Sequence, residues 1–233
     1  NLNKRSIAVD LKQDAGRQLV LDLASRFDVV AENSRAGAMA RLGLGFDDVR
    51  AVAPRVVYVS VSGFGNTVPT PYADWPAFAP IVEAMSGVYE FKRPADGPPV
   101  VAPVGALGDI GTALFATVGV LAALRQRDAT GEAQYVDVAM LDSLIALTDL
   151  VTNMWSFGVD LKAPPTMILN GFQASDGWFI VQVGREHFFA RLAETIGHPE
   201  WLDDPRLPPG LGRSPRRRDP ARDRELGGGH DQA

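Results

Sequence analysis

One carboxylate stands out by its setting. Asp109 lies in Gly105-Ala106-Leu107-Gly108-Asp109-Ile110-Gly111, at the head of a long apolar run. Two uses fit that position. As an N-cap, its oxygens accept backbone N–H groups of a helix start. As a nucleophile, it gains from the positive end of the helix, which favours a carboxylate, while Gly108 and Gly111 leave room for a ligand to approach the backbone. The two uses compete for the same oxygens. A second constellation is basic: Lys4, Arg5, Lys12, Arg35 and Arg41. Such side chains at the ends of parallel strands suit a phosphorylated ligand; a solvated charged face is the plainer alternative. Asp47-Asp48 and Asp203-Asp204 are adjacent pairs, which do not face one another on a helix, and read as surface charge or caps. His187 and His198 read as structural or solvent-facing. Trp155 and Phe157 read as core.

Several chemistries are absent from the sequence. Ser62 and Ser86 lack the glycines of a nucleophile elbow. There is no phosphate loop of the G-x-x-x-x-G-K-[ST] kind and no H-E-x-x-H pair. Gly43-Leu44-Gly45 and Gly63-Phe64-Gly65 lack the third glycine of a dinucleotide fingerprint. Zero cysteine excludes a disulfide scaffold, a thiol nucleophile and a Cys-ligated zinc site. Three scattered histidines form no metal cluster. The net charge of −5 is not that of a nucleic-acid binder.

The elements that must position these groups follow from periodicity. The chain has 233 residues, 46% of them hydrophobic, enough for one or two domains. Ile7–Leu11 reads as a strand. Asp14–Phe27 reads as a helix with Asp14 as its cap. Asp28–Glu32 and Arg55–Ser62 read as strands, with helices over 36–43 and 46–53 between them. Ala77–Ser86 and Asp109–Asp128 are predicted helices, separated by a proline-rich surface loop over 92–105. Ala133–Val138 is a predicted strand and Met140–Phe157 a second apolar helix. This alternation implies parallel strands with crossover helices. The apolar stretch Ile110–Leu124 is short for a membrane span of about 20 residues and reads as a buried core helix. No targeting segment is visible, so the expectation is a cytoplasmic chain that uses neither membrane nor nucleic acid.

The character changes near Gly158. Strands over 166–172 and 177–183 flank a hairpin signal at Asp176-Gly177, and Glu186–Ile196 reads as a helix. The expected fold class is therefore α/β: a doubly wound, Rossmann-like parallel sheet over 1–157, and part of a smaller α+β domain over 158–204. Residues 205–233 hold seven arginines, five prolines and five glycines. Such a segment cannot bury enough apolar surface to offset its ordering entropy. It reads as a disordered tail. The charge divides accordingly, −8 before residue 205 and +3 after it.

Taken in order, a set of short motifs resembles the class III CoA-transferase (CaiB/BaiF) family, which includes formyl-CoA transferase. They are Asn3-Lys4-Arg5-Ser6-Ile7 with Asp10-Leu11-Lys12, Asp28-Val29-Val30-Ala31-Glu32-Asn33, Arg41-Leu42-Gly43 and Pro54-Arg55-Val56-Val57-Tyr58. Then come Ser62-Gly63-Phe64-Gly65, Ala84-Met85-Ser86-Gly87, Gly108-Asp109, Thr130-Gly131 and Val136-Asp137-Val138-Ala139-Met140-Leu141-Asp142. The resemblance spans roughly residues 1–207. It implies CoA transfer between an acyl-CoA and a carboxylic acid, with Asp109 as nucleophile, through an aspartyl-acyl anhydride and an aspartyl-CoA thioester. It implies CoA contacts at Val9, Lys12, Asn33, Ser34, Arg35 and Arg41. It also implies an interlocked homodimer with no permanently bound cofactor, coenzyme A and acyl-CoA being substrates.

Departures qualify the resemblance. Phe78 stands where racemase relatives carry a catalytic histidine, so acyl-CoA racemisation is disfavoured. Ala79 stands where many members have Asp. Glu32-Asn33-Ser34-Arg35-Ala36-Gly37 replaces the common Glu-Asn-Phe-Arg-Pro-Gly. Ala163-Pro164-Pro165-Thr166 has no glycine-rich shielding loop. Members carry about one more strand-helix-strand unit ahead of Asn1 and a return to the large domain after Leu207. The expectation is a fragment or frameshifted product. An inactive remnant or a CoA-binding module is the alternative.

Overall fold

The computed structural model describes residues 3–90, 93, 96–101, 105–148, 153, 155–158 and 168–205. The chain forms two compact units, residues 1–161 and 162–233.

The first unit is built on three parallel strands, β1 (Val29–Glu32), β2 (Val57–Ser62) and β3 (Gln134–Ala139), in that spatial order. β2 is central and buried on both faces, which explains its apolar run of Val57, Tyr58, Val59 and Val61. Helix α1 (Asp14–Ala24) precedes β1. Two short helices, α2 (Ala38–Arg41) and α3 (Phe46–Val52), join β1 to β2. Helices α4 (Ala79–Met85) and α5 (Leu107–Thr130) join β2 to β3, and α6 (Met140–Leu147) follows directly.

The sheet is covered on both faces. Tyr58 and Tyr135 are paired across β2 and β3. They pack with Ala24 of α1 and with Phe46 and Val49 of α3. Successive strand residues point to opposite sides, so Val136 faces the other way. There it meets α5, where a Cβ on Gly119 would come within 2.8 Å of Val136 Cγ1. Arg127 ties the far end of α5 to the start of β1 through Asp28 at 2.7 Å and also binds Asp128 at 2.9 Å.

Helix α5 is long and apolar enough to cross a membrane by length and composition. Its contacts are those of a helix laid on a sheet, although only one side is covered. Gly108, Gly111, Thr112 and Ala123 are buried. The opposite side leaves Ile110, Leu114, Val118 and Leu121 more than half exposed, a stripe at helical spacing. The expected core helix is thus buried on one face only.

Other expectations are corrected in detail. Residues 7–11 form no strand, and Ile7 is 64% exposed. A strand exists only by pairing, and no described residue offers this segment a ladder. Helix α1 is capped at Gln13, so Asp14 is its first residue and pairs with Arg17 instead. Helix α6 stops at Leu147, where the Thr148 hydroxyl donates to the Leu144 carbonyl at 2.8 Å. Trp155 and Phe157, expected in the core, are largely exposed among the described residues.

The second unit pairs β4 (Ile168–Ala174) with β5 (Gly177–Val183) as an antiparallel hairpin. Its turn is Ser175-Asp176, one residue earlier than the sequence signal. Helix α7 (Glu186–Thr195) lays Phe189 and Leu192 on Val181 and Val183, and Trp201 and Leu202 of a following short helix close that cluster. His198 pairs with Glu200 at 2.9 Å and stacks on Trp201, which agrees with a structural role. The tail beyond residue 205, the first two residues of the predicted strand over 166–172 and the Ala163–Thr166 departure lie outside the described residues.

Candidate functional site

Asp109 sits in the first turn of α5. It is the third helical residue, and the cap position belongs to Ala106. The N-cap reading of Asp109 is therefore corrected. A backbone amide of this first turn that needs a partner is that of Gly108, and Glu83 supplies the acceptor. Glu83 Oε1 accepts the Gly108 N–H at 2.9 Å, while Oε2 accepts the Tyr89 hydroxyl. Glu83 is 2% exposed, so both bonds are made away from water. Burial, reinforced by the bond to Glu83 and by its charge, pushes the Tyr89 phenol up to about 12.

This arrangement releases the Asp109 carboxylate from capping. Asp109 is exposed, and no hydrogen bond to it is formed among the described residues. Gly108 and Gly111 also play a different part from the one expected. A Cβ at Gly108 would lie 3.1 Å from Ala79 Cα and 3.2 Å from Met140 Sδ, and one at Gly111 would lie 2.2 Å from Leu147 Cδ1. The two glycines let α5 approach α4 and α6; they do not open the backbone to a ligand. Met140 begins where β3 ends, and the Gly63 carbonyl after β2 accepts the Leu141 N–H at 3.0 Å. Asp109 thus stands over the C-terminal ends of β2 and β3, the edge where parallel sheets take their ligands.

The basic candidates share that edge. Asn33, Ser34, Arg35 and Arg41 follow the end of β1. Helix α1 runs back from the start of β1, since Ala24 at its end packs on Val56 at the entry to β2. Lys12 at its beginning is therefore carried toward the edge where the strands end. The segment before α1 is shaped by Gly16, where a Cβ would fall 2.1 Å from the Asp10 carbonyl oxygen and 3.1 Å from Val9 Cγ1. Arg17 holds the same segment, its Nη1 donating to the carbonyls of Leu11 at 3.1 Å and Lys12 at 3.2 Å. Lys12, Asn33, Arg35 and Arg41 are exposed; Val9 and Ser34 are partly buried. Among the described residues, no hydrogen bond or ion pair joins Asp109 to these groups.

A cleft of about 950 Å³ opens beside the Asn33–Arg41 segment. It is lined by Glu32, Gly37, Phe46, Tyr58, Asn66 and Tyr135 among others, and Asp109 does not line it. Glu32 and Ser60 line it from the sheet beside the two tyrosines. Asp137, paired with Ser60 across β2 and β3, does not itself line the cleft; burial pushes its carboxyl up, but hydrogen bonds from Asn66 and Thr67 outweigh that and hold it below the usual value. Asp47 and Asp48 at the rim match their expected roles: Asp48 accepts the Gly45 N–H at 3.0 Å and Asp47 pairs with Arg50 at 2.9 Å.

Three residues went unread in the sequence: Glu83, Asn66 and Asp137. Glu83 lies among the apolar residues of α4, and a lone charge there is a usable signal of a buried partner. Asp137 inside the β-prone Gln134–Ala139 run gives the same signal. Asn66 gives none, because polar residues are ordinary in turns.

The first unit is thus a parallel α/β sheet with an uncommitted carboxylate and basic side chains toward its C-terminal edge. The model of CoA-transferase family III matches residues 1–226, and the chain belongs to that family. It is 37% identical over 215 residues to the acetyl-CoA:oxalate CoA-transferase of Acetobacter aceti, covering 89% of this chain and 54% of that protein. It is 41% identical over 147 residues to the formyl-CoA:oxalate CoA-transferase of Streptomyces avermitilis, covering 63% of this chain and 35% of that protein. A crystal structure of a CaiB/BaiF family protein from Brucella suis superposes with a TM-score of 0.71 at 30% identity, over 90% of this chain and 56% of that one. The chain spans about half the length of the curated relatives it matches.

Proposed function

We propose that this chain carries the nucleophile and part of the CoA site of an acyl-CoA:carboxylate CoA-transferase. The observation that carries the reading is the Asp109 carboxylate, uncommitted and exposed at the head of α5, whose amide partner is Glu83. An Asp109 oxygen attacks the acyl carbonyl; the carbon–sulfur bond breaks and CoA leaves as thiolate. The thiolate attacks the aspartyl carbonyl of the anhydride and releases the first carboxylate. The acceptor carboxylate then attacks the aspartyl-CoA thioester, and returning thiolate completes the new acyl-CoA and frees Asp109. Each step exchanges one acyl bond for another, as covalent catalysis requires. Lys12, Arg35 and Arg41 pair with CoA phosphates. Val9, Asn33 and Ser34 contact the adenine or pantetheine portions.

Two relatives are named for acetyl-CoA or formyl-CoA with oxalate, and others for succinyl-CoA with mesaconate or glutarate, which supports a small carboxylic acid as acceptor here and leaves the acyl donor to be found by assay. The functional unit is a cytoplasmic homodimer in this proposal, and the bare apolar stripe of α5 supports burial against further polypeptide. Phe78 is 69% exposed and has no titratable proton, so racemisation is not proposed.

A CoA-binding module without turnover is the second reading. The cleft beside the Asn33–Arg41 segment favours it, because Asp109 does not line that cleft. Incubation of the purified chain with acetyl-CoA and hydroxylamine, followed by mass spectrometry, separates the two. A hydroxamate at Asp109 supports transfer. CoA binding with no modification supports the module.

A further inference from the structure

Glu32, Ser60 and Asp137 stand in register across the three strands, Glu32 opposite Ser60 and Ser60 opposite Asp137. Residues so aligned project from one face of the sheet. Asn66, from the turn after β2, is laid over them. Its Nδ2 donates to Ser60 Oγ at 3.1 Å and to Asp137 Oδ1 at 3.1 Å. Its Oδ1 accepts the Gly37 N–H at 3.0 Å. Ser60 donates its hydroxyl to Glu32 Oε1, and Glu32 Oε2 accepts the Ser34 N–H at 2.7 Å. Asp137 Oδ2 takes three more bonds, from the Asn66 N–H at 2.7 Å, the Thr67 N–H at 2.8 Å and the Thr67 hydroxyl at 2.9 Å.

The direction of every bond is fixed by its ends. With Glu32 and Asp137 as carboxylates, both accept only, so Ser60 donates to one side and accepts from Asn66 on the other. The Asn66 amide nitrogen must then face the row, which leaves its oxygen for Gly37. Asn66 reaches that place through Gly65, whose φ of +86° permits the tight turn. The row therefore ends on two backbone amides, Ser34 and Gly37. They bracket Arg35, and Gly37 is the residue from which α2, bearing Arg41, begins.

We propose that the row Glu32–Ser60–Asn66–Asp137 is a positioning device that fixes the Asn33–Gly37 turn and thereby aims Arg35 and Arg41 at the CoA phosphates. This rests on the reading that those arginines bind CoA. Ser60, Asn66 and Asp137 act through the turn and are positioning residues. Gly37 has φ of +70°, a conformation that a free glycine leaves readily. Anchoring its N–H removes that freedom before the ligand arrives, so the ordering cost is not charged against binding.

The test uses the whole chain and CoA itself as probe. Asn66→Ala is expected to speed amide exchange at Gly37 at least about tenfold while β2 stays protected. The same variant is expected to weaken CoA binding about tenfold by calorimetry. In a turnover assay it raises KM for acyl-CoA and leaves kcat, a split that general unfolding does not produce. Asn66→Gln keeps both polar atoms and is expected to stay within about threefold of the parent. Should Asn66→Ala fail to fold, Ser60→Ala cuts the same row at its centre and reads exchange at Ser34. Arg35→Ala and Arg41→Ala test the underlying reading. If they leave CoA affinity unchanged, or the parent chain does not bind CoA, the CoA reading fails and the ligand half of the proposal with it. If they weaken binding but the row variants do not, only the role of the row is overturned. Unchanged exchange at Gly37 in Asn66→Ala overturns it as well.

Discussion

Replacing Glu83 with alanine tests how the head of α5 is built. The side chain is 2% exposed and serves two buried donors, the Gly108 N–H and the Tyr89 hydroxyl. An unsatisfied buried donor costs about 1–3 kcal/mol, so two cost roughly 2–6 kcal/mol. The carboxylate's own desolvation cost disappears with it, which brings the net to about 2–4 kcal/mol. For a chain of this size each kcal/mol moves Tm by about 2–4 °C, giving a fall of about 4–16 °C by calorimetry. Glu83→Gln keeps an acceptor for Gly108 and is expected to lose about 1 kcal/mol. The Tyr89 phenol is a second readout. Its value of about 12, against an ordinary 10.0, comes first from burial and then from Glu83. Ultraviolet titration of phenolate should show it falling part of the way in both variants, because burial remains. The sign for stability follows. A raised phenol contribution is complete below about pH 10 and is lost as pH rises to about 12. If Glu83→Ala costs less than about 1 kcal/mol, Glu83 is not the partner that holds the head of α5.

Three further outcomes are expected. Gly16→Ala sets a Cβ 2.1 Å from the Asp10 carbonyl oxygen, and backbone cannot swing aside as a side chain does; CoA affinity measured by calorimetry should fall about tenfold or more, through displacement of Val9–Lys12. Asp137 has a lowered carboxyl, so its contribution is present above the ordinary 3.8 and is lost as pH falls below it through the folded value. Urea titrations of Asp137→Asn should accordingly lack that acid-limb decline. Charged substitutions at Leu114 and Val118, which are 62% and 65% exposed, should leave stability within about 0.5 kcal/mol and reduce self-association in ultracentrifugation.

What the sequence revealed depended on how local each interaction was. The strands at β1, β2 and β3 and the helix α5 were legible because their patterning is carried by consecutive residues. The strand expected at residues 7–11 was not formed, since pairing is a tertiary event that β-propensity alone cannot guarantee. Asp109 is marked out by its glycine-rich setting, and of the two uses that setting allows, the cap is not the one formed. The true amide acceptor, Glu83, lies 25 residues away on another helix. Gly108 and Gly111 were misread for the same reason: whether a missing Cβ serves a ligand or a neighbouring helix depends on what packs there. The link from Asp137 to Asn66 spans 71 residues, and although a lone carboxylate in a β-prone run signals a buried partner, nothing in the sequence marks Asn66 as that partner.

The most direct measurement is the fate of Asp109 when the purified chain meets acetyl-CoA. A covalent acyl or CoA adduct is expected, trapped by hydroxylamine or borohydride and mapped by mass spectrometry to Asp109, and its loss is expected in Asp109→Ala with CoA binding retained. A folded chain that binds CoA and leaves Asp109 unmodified, or an adduct that persists in Asp109→Ala, would show that Asp109 is not the nucleophile.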